Sequence, residues 1–595
     1  EALRGVPTGF VCDAMAGQGA LDGSIAPVGG TRDPALHVVG PALVADNGPA
    51  EILATLAAIE RARPGDVIVA AVAGWQGCAA AGDQALGMMK NAGTAGFVTD
   101  GPMRDLAGIR AVGLPAEYLH EAANPDWHFV PDKVQTELLG ELEFTDGMPS
   151  DATVKKTLDF LDLSRAAEAF LNGIPPTSIY AMLEGLKQAG AEPGDLVLWE
   201  NYYDARSLLL TPNTTTPYAF AEINVRAEPA IVEVPSGVLV GAVDDAFFRH
   251  VTDLGVTGPN QGKGGKWVFV GPDFEGKLPE GYRVVKTPTY RNWMFLRAIV
   301  KETGLEAATE GLRTKFRIYP LSEIEDPPKG KVIFASGAKI NTIHANDYSF
   351  YDELNAVIQY EPADAFDPEL VGLFASIGIK KGKPFAPDAR MRKILEEGVA
   401  IGNATARSLT FRPREERLYF YPGQRQWYSP FTRGSSEFMN NGERVLDDRI
   451  IFHYYATGIT PAMARAKVGT GSAYEIGAHD SGGRYLDGAK TYKVTLPAPI
   501  PAKDFWSFVV YDNQTRSVLE TDQRSGGVDS NSPDIKANAD GSYTVWFAPK
   551  APEGKEGNWV QTMPGKGFNV LLRLYGPLKP FFDKTWMPGD LELVE

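Results

Sequence analysis

The sequence predicts an α/β domain at its N-terminal end, followed by a larger all-β part of sandwich units that carry helical insertions. Three observations lead there. Up to about residue 125 the chain is rich in Ala and Gly, and short apolar runs alternate with helical spacing, the order expected of βαβ units around a parallel sheet. From about residue 150 Ala falls, Tyr, Trp, Pro and Asn rise, and short strand-like runs recur between Gly, Pro and Asn turns, as they do in β-sandwiches. A chain of 595 residues also exceeds what one core holds together, since single cores stop growing near ~250–300 residues.

In chain order, residues 36–45 (ALHVVGPALV) read as a strand, and 49–62 place Ile52, Leu53, Leu56 and Ile59 on one helical face. Val67-Ile68-Val69 is the next strand, 79–91 the next helix, Gly96-Phe97-Val98 a further strand, and a helix opens near Arg104. The expected divisions are an α/β domain over 1–125, a linker over 126–150, and a β domain over 151–330. A helical connecting region over 331–470 and a β-sandwich over 471–595 follow. Helices are expected near 155–190, 290–304, 346–377, 387–409 and 445–465. Strands are expected at 229–235, 238–242, 266–270, 491–497, 505–511, 542–547 and 568–575.

A net charge of -17 argues against nucleic-acid binding, which depends on Lys and Arg neutralising phosphate. Cys12 and Cys78 are the two cysteines, too few for a disulfide framework or a cysteine zinc site. No apolar run approaches the roughly 20 residues that span a bilayer, so no membrane partner is expected. The expected compartment is the cytoplasm. Periplasmic or secreted is the alternative, because Glu1-Ala2-Leu3-Arg4 reads as a chain entered partway.

The chemistry of the N-terminal part lies in two turns, Ala81-Gly82-Asp83 and Asp100-Gly101-Pro102-Met103-Arg104-Asp105. Each puts Gly and an acidic residue where a strand hands over to a helix. Unpaired N–H groups at a helix start bind carboxylates, an adjacent Arg104 can grip the same anion in a bidentate pair, and Asp105 can hold a divalent cation through oxygen or bridging water. With Val39-Gly40-Pro41-Ala42 and Gly65-Asp66 upstream, residues 8 to 117 resemble the RraA-like family of metal-dependent aldolases, which has a swivelling α/β/β fold. The resemblance implies catalytic Arg104 and Asp105, substrate binding by Gly82, Asp83 and Arg104, and Mg²⁺ or Mn²⁺ on Asp105. It implies a small anionic oxo-acid substrate, cleaved by retro-aldol reaction or decarboxylated, and a homo-oligomer. The family's C-terminal portion is not evident after Gly113-Leu114-Pro115, so the domain reads as truncated.

The larger part resembles bacterial proteins pairing the domains of unknown function 1254 and 1214. The first is carried by Asn213-Thr214-Thr215-Thr216-Pro217-Tyr218, Ile231-Val232-Glu233-Val234-Pro235, Gly262-Lys263-Gly264-Gly265 and Arg291-Asn292-Trp293 with Arg297. The second is carried by Tyr485-Leu486-Asp487-Gly488, Phe505-Trp506-Ser507, Asn558-Trp559 and Arg573-Leu574-Tyr575-Gly576-Pro577. The resemblance implies a jelly-roll-like β fold and no assigned activity. Gly262-Lys263-Gly264-Gly265 and Asp540-Gly541 read as hairpin turns, and the scattered His250, His344, His453 and His479 as core residues. Tyr218, Arg291, Trp293, Arg297, Trp506 and Arg573 form a candidate pocket for an anionic or aromatic ligand. Core aromatics and turn-fixing arginines are the plainer reading of the same residues. The leading expectation is thus a metal-dependent lyase in the N-terminal part, and the alternative a hydrolase or small-ligand binder in the β-rich part.

Overall fold

The structure is a computed structural model describing residues 25–27, 38–73, 75, 79–119, 131–145, 147–300, 304–431 and 434–594. Cys12 and Cys78 lie outside the described residues. The chain divides into two compact units, Glu1–Val154 and Lys155–Glu595.

The first unit is an α/β sheet. Strands β2 (Ala42–Asp46), β3 (Val67–Ala71), β4 (Gly96–Thr99) and β5 (Ala116–Leu119) run parallel, and β1 (Ile25–Pro27) pairs antiparallel with β5, giving the order β1-β5-β4-β3-β2. Helices α1 (Leu53–Arg61), α2 (Asp83–Asn91) and α3 (Leu106–Val112) make the crossovers, as parallel pairing requires. Ile68, Ala70, Leu86, Met89, Phe97 and Ile109 form the core. The face expected of α1 is corrected: Thr55, Ala58 and Ile59 are its buried residues, while Leu53 is 65% and Leu56 37% exposed. The reason is position, since α1 packs on β2 and β3 and β2 is the sheet edge.

Part of the expected linker is also structured. Strands β6 (Lys133–Thr136), β7 (Gly140–Thr145) and β8 (Met148–Pro149) form their own antiparallel sheet. They do not extend the parallel sheet of the first unit.

A long helix, α4 (Asp151–Gln188), begins just before the boundary and supplies the first residues of the second unit. A six-stranded sheet follows, ordered β13-β12-β16-β10-β9-β18. Its strands are β9 (Leu196–Trp199), β10 (Tyr218–Asn224), β12 (Leu239–Asp245), β13 (His250–Gly255), β16 (Arg291–Ala298) and β18 (Val332–Phe334). A four-stranded sheet, β15-β14-β11-β17, combines β11 (Ala230–Val234), β14 (Gly265–Val270), β15 (Arg283–Lys286) and β17 (Arg317–Pro320). The two sheets share one core, in which Ala219, Ala221, Met294 and Leu296 meet Val232, Trp267 and Phe269 under α5 (Gly304–Thr314). The helix expected at 290–304 is therefore corrected. Arg291–Ala298 is an inner strand paired on both edges with β10 and β12. Both its faces are buried, which removes the apolar-polar alternation that identifies a strand.

Helices α6 (Ser349–Tyr360), α7 (Pro368–Ser376), α8 (Ala389–Phe411) and α9 (Leu446–Tyr455) build a second core around Phe170, Phe350, Tyr351 and Phe374, and a short helix α10 (Pro461–Ala464) follows in the chain. A small pair, β19 (Met439–Asn440) and β20 (Glu443–Arg444), lies between α8 and α9 in the chain. Two more four-stranded sheets close the chain. One is β21 (Ser472–Gly477), β27 (Phe568–Pro577), β23 (Ala502–Asp512) and β24 (Gly527–Asp529). The other is β26 (Trp559–Gln561), β25 (Tyr543–Ala548), β22 (Thr491–Leu496) and β28 (Glu592–Val594). They enclose Val494, Trp506, Phe508, Phe547, Val570 and Leu572, with α11 (Lys579–Phe582) contributing Phe581. Two-layer sheet packing with helical segments is what these orders establish.

One buried carboxyl gives this core a pH dependence. Glu475 on β21 is 1% exposed; one oxygen accepts the Tyr421 hydroxyl at 3.0 Å and the other has no partner. Burial pushes its carboxyl up to about 8, against the opposing pull of Tyr421 and Lys584. A carboxyl with a raised folded-state pKa holds a proton that the unfolded chain releases. Stability is therefore full below about 4.5 and falls as pH rises toward 8. Glu475→Gln is expected to remove roughly 2 kcal/mol of that fall, once relaxation reduces the full burial cost. Urea unfolding of both proteins at pH 5 and pH 9 measures it; equal pH slopes would refute it.

Candidate functional site

The N-terminal candidate residues gather at the C-terminal ends of two adjacent parallel strands, where ligands bind in open α/β sheets. β3 leads to α2 through Gly82, and β4 leads to α3 through Asp100–Asp105. The two turns are tied together: Ala80 N–H donates to Pro102 O at 2.7 Å, Arg104 N–H donates to Ala81 O at 3.1 Å, and Ala81 bridges Met103 in parallel. Asp100 Oδ1 accepts the Val72 N–H at 2.6 Å, so this carboxylate braces the loop after β3.

Gly82 is the N-cap of α2 in extended conformation, carries no side chain to cap it, and is followed by Asp83 in the first turn, at the kind of helix start whose N–H groups can bind anions. The approach is close: a β-carbon on Gly82 would come within 3.1 Å of Asp105 Oδ2 and 3.3 Å of Arg104 Cγ. Asp83 lies over Gly108 in the first turn of α3, where a β-carbon would come within 2.5 Å of its Oδ2.

Arg104 Nε stands 3.4 Å from Asp105 Oδ2, and these side chains are 76% and 53% exposed. Asp105 is left-handed (φ 59°) and its carboxylate caps nothing. A guanidinium and the carboxylate it pairs with thus lie beside Gly82 at the start of α2. No group of three His, Cys, Asp or Glu placed for a metal occurs among the described residues. The donor set fits Mg²⁺ held by one carboxylate, with water and substrate completing the shell, and does not fit a closed protein cage.

The β-rich candidates divide. Tyr218, Trp293, Arg297 and Arg573 line one cavity of about 60 Å³ together with Asn213, Phe220, Phe295, Phe431, Tyr455 and Tyr474. Strand alternation puts them there. Tyr218 and Phe220 on β10 stand opposite Arg297 and Phe295 on β16; the intervening Ala219, Leu296 and Met294 point into the sandwich core. On the far wall Tyr474 of β21 stands opposite Arg573 of β27.

Arg291 shares the face of Trp293 and Arg297 but sits at the other end of β16. Its Nε and Nη2 form a bidentate pair with Glu222 at 2.8 and 2.9 Å, and Nη1 approaches Glu184 at 3.3 Å. Trp506 is also outside the cavity, because residues 506, 508 and 510 of β23 point into the C-terminal sandwich core while 509 and 511 point the other way. Asn558 pins the backbone at Lys536 and Thr544, a structural role. Phe220, Phe295, Phe431, Tyr455 and Tyr474 line the cavity without having been candidates in the sequence, and Asn213 stood there only as part of the Asn213–Tyr218 motif. For the aromatic residues the signal lies in register and cross-sheet packing.

The histidines make no metal group with Cys, Asp or Glu among the described residues. His344 is packed between Phe170 and Phe350, and burial, helped by the Arg516 charge, pulls it down to about 3. The Gly262–Gly265 segment is a turn, with Lys263 N–H donating to Asn260 O at 2.9 Å and Gly262 and Gly264 at positive φ.

Comparison with known proteins agrees with this division. Residues 8–138 match the family model for Aldolase/RraA (RraA-like). Residues 193–320 match Protein of unknown function (DUF1254), and 471–579 match Protein of unknown function (DUF1214). A protein of Halalkalibacterium halodurans named "Putative 4-hydroxy-4-methyl-2-oxoglutarate aldolase" is 40% identical over 113 residues, 19% of this chain and 52% of that protein. The chain thus spans about half the length of the curated relative it matches. Among solved structures, the VPA0106 protein of Vibrio parahaemolyticus covers 73% of this chain and 100% of its own, at 18% identity and a TM-score of 0.46. The RNA-processing inhibitor RraA of Thermus thermophilis covers 24% of this chain and 90% of its own, at 18% identity and a TM-score of 0.18. No described helix is long and apolar enough to cross a membrane.

Proposed function

We propose that the N-terminal unit is a lyase for small anionic oxo acids, cleaving a C–C bond of a 4-hydroxy-2-oxo acid or decarboxylating oxaloacetate with Mg²⁺ or Mn²⁺. The observation that carries this reading is the gathering of Gly82, Asp83, Arg104 and Asp105 at the ends of β3 and β4, within a stretch 40% identical to an aldolase-named relative. Arg104 grips and orients the substrate carboxylate. The first N–H groups of α2 share its charge, and Gly82 leaves room for it. Asp105 would hold the cation, which when bound supplies Lewis-acid polarisation of the oxo group. We assign the unit to a homo-oligomer.

The test is pyruvate release from 4-hydroxy-4-methyl-2-oxoglutarate by the full chain with added Mg²⁺. Arg104→Ala is expected to lower kcat/KM about 10²–10³-fold, the usual loss when a charge-stabilising donor is removed. Equal rates in the two proteins would sink the assignment.

A second reading, small-ligand binding by the β-rich unit, is favoured by the cavity between β16 and β27. Among the described residues that line it there is no Ser, Cys, His, Asp or Glu, which favours binding over hydrolysis there.

A further inference from the structure

The cavity of the second unit has an imbalance of charge and hydrogen-bond capacity. Arg573 is 3% exposed. Its Nη2 donates to Thr211 O at 2.8 Å and, more distantly, to Pro212 O at 3.3 Å, but its Nη1 has no partner. Trp293, 1% exposed, has an indole N–H with no partner. Tyr218 accepts from Asn213 N–H at 3.0 Å and from Asn213 Nδ2 at 2.8 Å, so both lone pairs are filled and its own proton remains to be given.

The Arg297 guanidinium lines the same space and makes no ion pair within the described residues. Burial disfavours the Arg297 charge, Tyr218, Tyr474 and Tyr575 favour it and outweigh that cost, and the Arg573 charge works against it. Two cations therefore share a space whose described lining holds no carboxylate, and the buried polar atoms left there without a partner, Arg573 Nη1 and Trp293 Nε1, are donors. Buried charge is tolerated when it is paired, and an acceptor-rich anion supplies both missing elements at once.

Size and walls narrow the choice. The cavity of about 60 Å³ has room for roughly four waters, or a carboxylate of about four or five non-hydrogen atoms. Phe220, Trp293, Phe295, Phe431 and Tyr474 offer apolar surface to a carbon body, which a bare inorganic anion cannot use. We infer that this cavity is a binding site for a short-chain carboxylate, held by Arg297, Arg573 Nη1, Trp293 Nε1 and the Tyr218 hydroxyl. It stands apart from the N-terminal chemistry and does not rest on it.

The test is calorimetric titration and thermal unfolding of the full chain with propionate in chloride-free buffer, with propionamide, inorganic phosphate and chloride as separate arms. Propionate is expected to bind with a Kd of about 1 mM, as befits so few atoms, and to raise Tm; propionamide is expected to do neither. Arg297→Met removes a side chain that makes no described ion pair. It is expected to fold, to have an unliganded Tm no lower than wild type, and to weaken propionate binding about tenfold or more. Arg573→Lys, which keeps a charge at the same wall, should weaken binding while remaining folded. The inference is overturned if propionate neither binds nor stabilises wild type. It is also overturned if Arg297→Met binds propionate as wild type does, or if phosphate or chloride binds as tightly as propionate.

Discussion

Asp105→Gly is expected to abolish lyase activity, by about 10³-fold or more in kcat/KM, while leaving stability within about 1 kcal/mol of wild type. The two effects separate because of how Asp105 is held. It is left-handed at φ 59° and its side chain caps no helix N–H. An L-residue pays roughly 1–2 kcal/mol in that region, which Gly does not; the added freedom of Gly in the unfolded chain offsets part of the gain. Its carboxylate, 53% exposed beside Arg104, contributes little to the fold, since exposed ion pairs are worth about 0–1 kcal/mol. What the substitution removes is the oxygen donor at the substrate site. Steady-state kinetics and urea unfolding measure the two quantities on one preparation. Retained activity, or a stability loss of several kcal/mol, would contradict this account of Asp105.

Arg291→Met in the second unit is expected to cost about 3–5 kcal/mol of stability, the usual result of stranding a buried partner charge. Glu222 has a 6% exposed side chain and takes both oxygens' charge-assisted bonds from Arg291; Glu184, 31% exposed, can turn to water. The double variant Arg291→Met with Glu222→Met removes both charges and is expected to recover most of the loss, because two apolar side chains replace a pair that had to be desolvated. A double-mutant cycle in urea reads the coupling. Additive losses would mean that Arg291 matters by packing alone.

The alternation of helix and strand in the N-terminal unit is legible because its signals are local. Val67-Ile68-Val69 and Gly96-Phe97-Val98 are apolar runs bounded by Gly, and the helix starts carry Gly82 and Asp105. The region from 131 to 150 also carried a local signal, Leu142 and Phe144 alternating with charged neighbours, and it forms β7 where a linker was expected. The misread segment at 290–304 shows the opposite case. Arg291-Asn292-Trp293-Met294-Phe295-Leu296-Arg297 is buried on both faces, so its strand character lies in pairing with β10 and β12, which no local window contains.

Composition pointed to Tyr218, Trp293, Arg297 and Arg573 as chemistry-bearing residues, but not to which of them meet. Arg291 has the right residue type and face at the wrong end of β16, and Trp506 the right type on the wrong face of β23. Asn213 stands in the Asn213–Tyr218 stretch and holds the Tyr218 hydroxyl through local bonds, whereas Tyr474 escapes because its partner lies far along the chain. Tyr474 stands opposite Arg573 only through the register of β21 on β27.

The claim that Asp105 and Arg104 form one joint cation and oxyanion site is tested most directly by Mn²⁺ binding, read by electron paramagnetic resonance, with and without pyruvate. The account predicts that pyruvate tightens Mn²⁺ binding to wild type, that Asp105→Ala loses Mn²⁺ binding, and that Arg104→Ala keeps it but loses the tightening by pyruvate. Mn²⁺ binding that is unchanged in Asp105→Ala would contradict it.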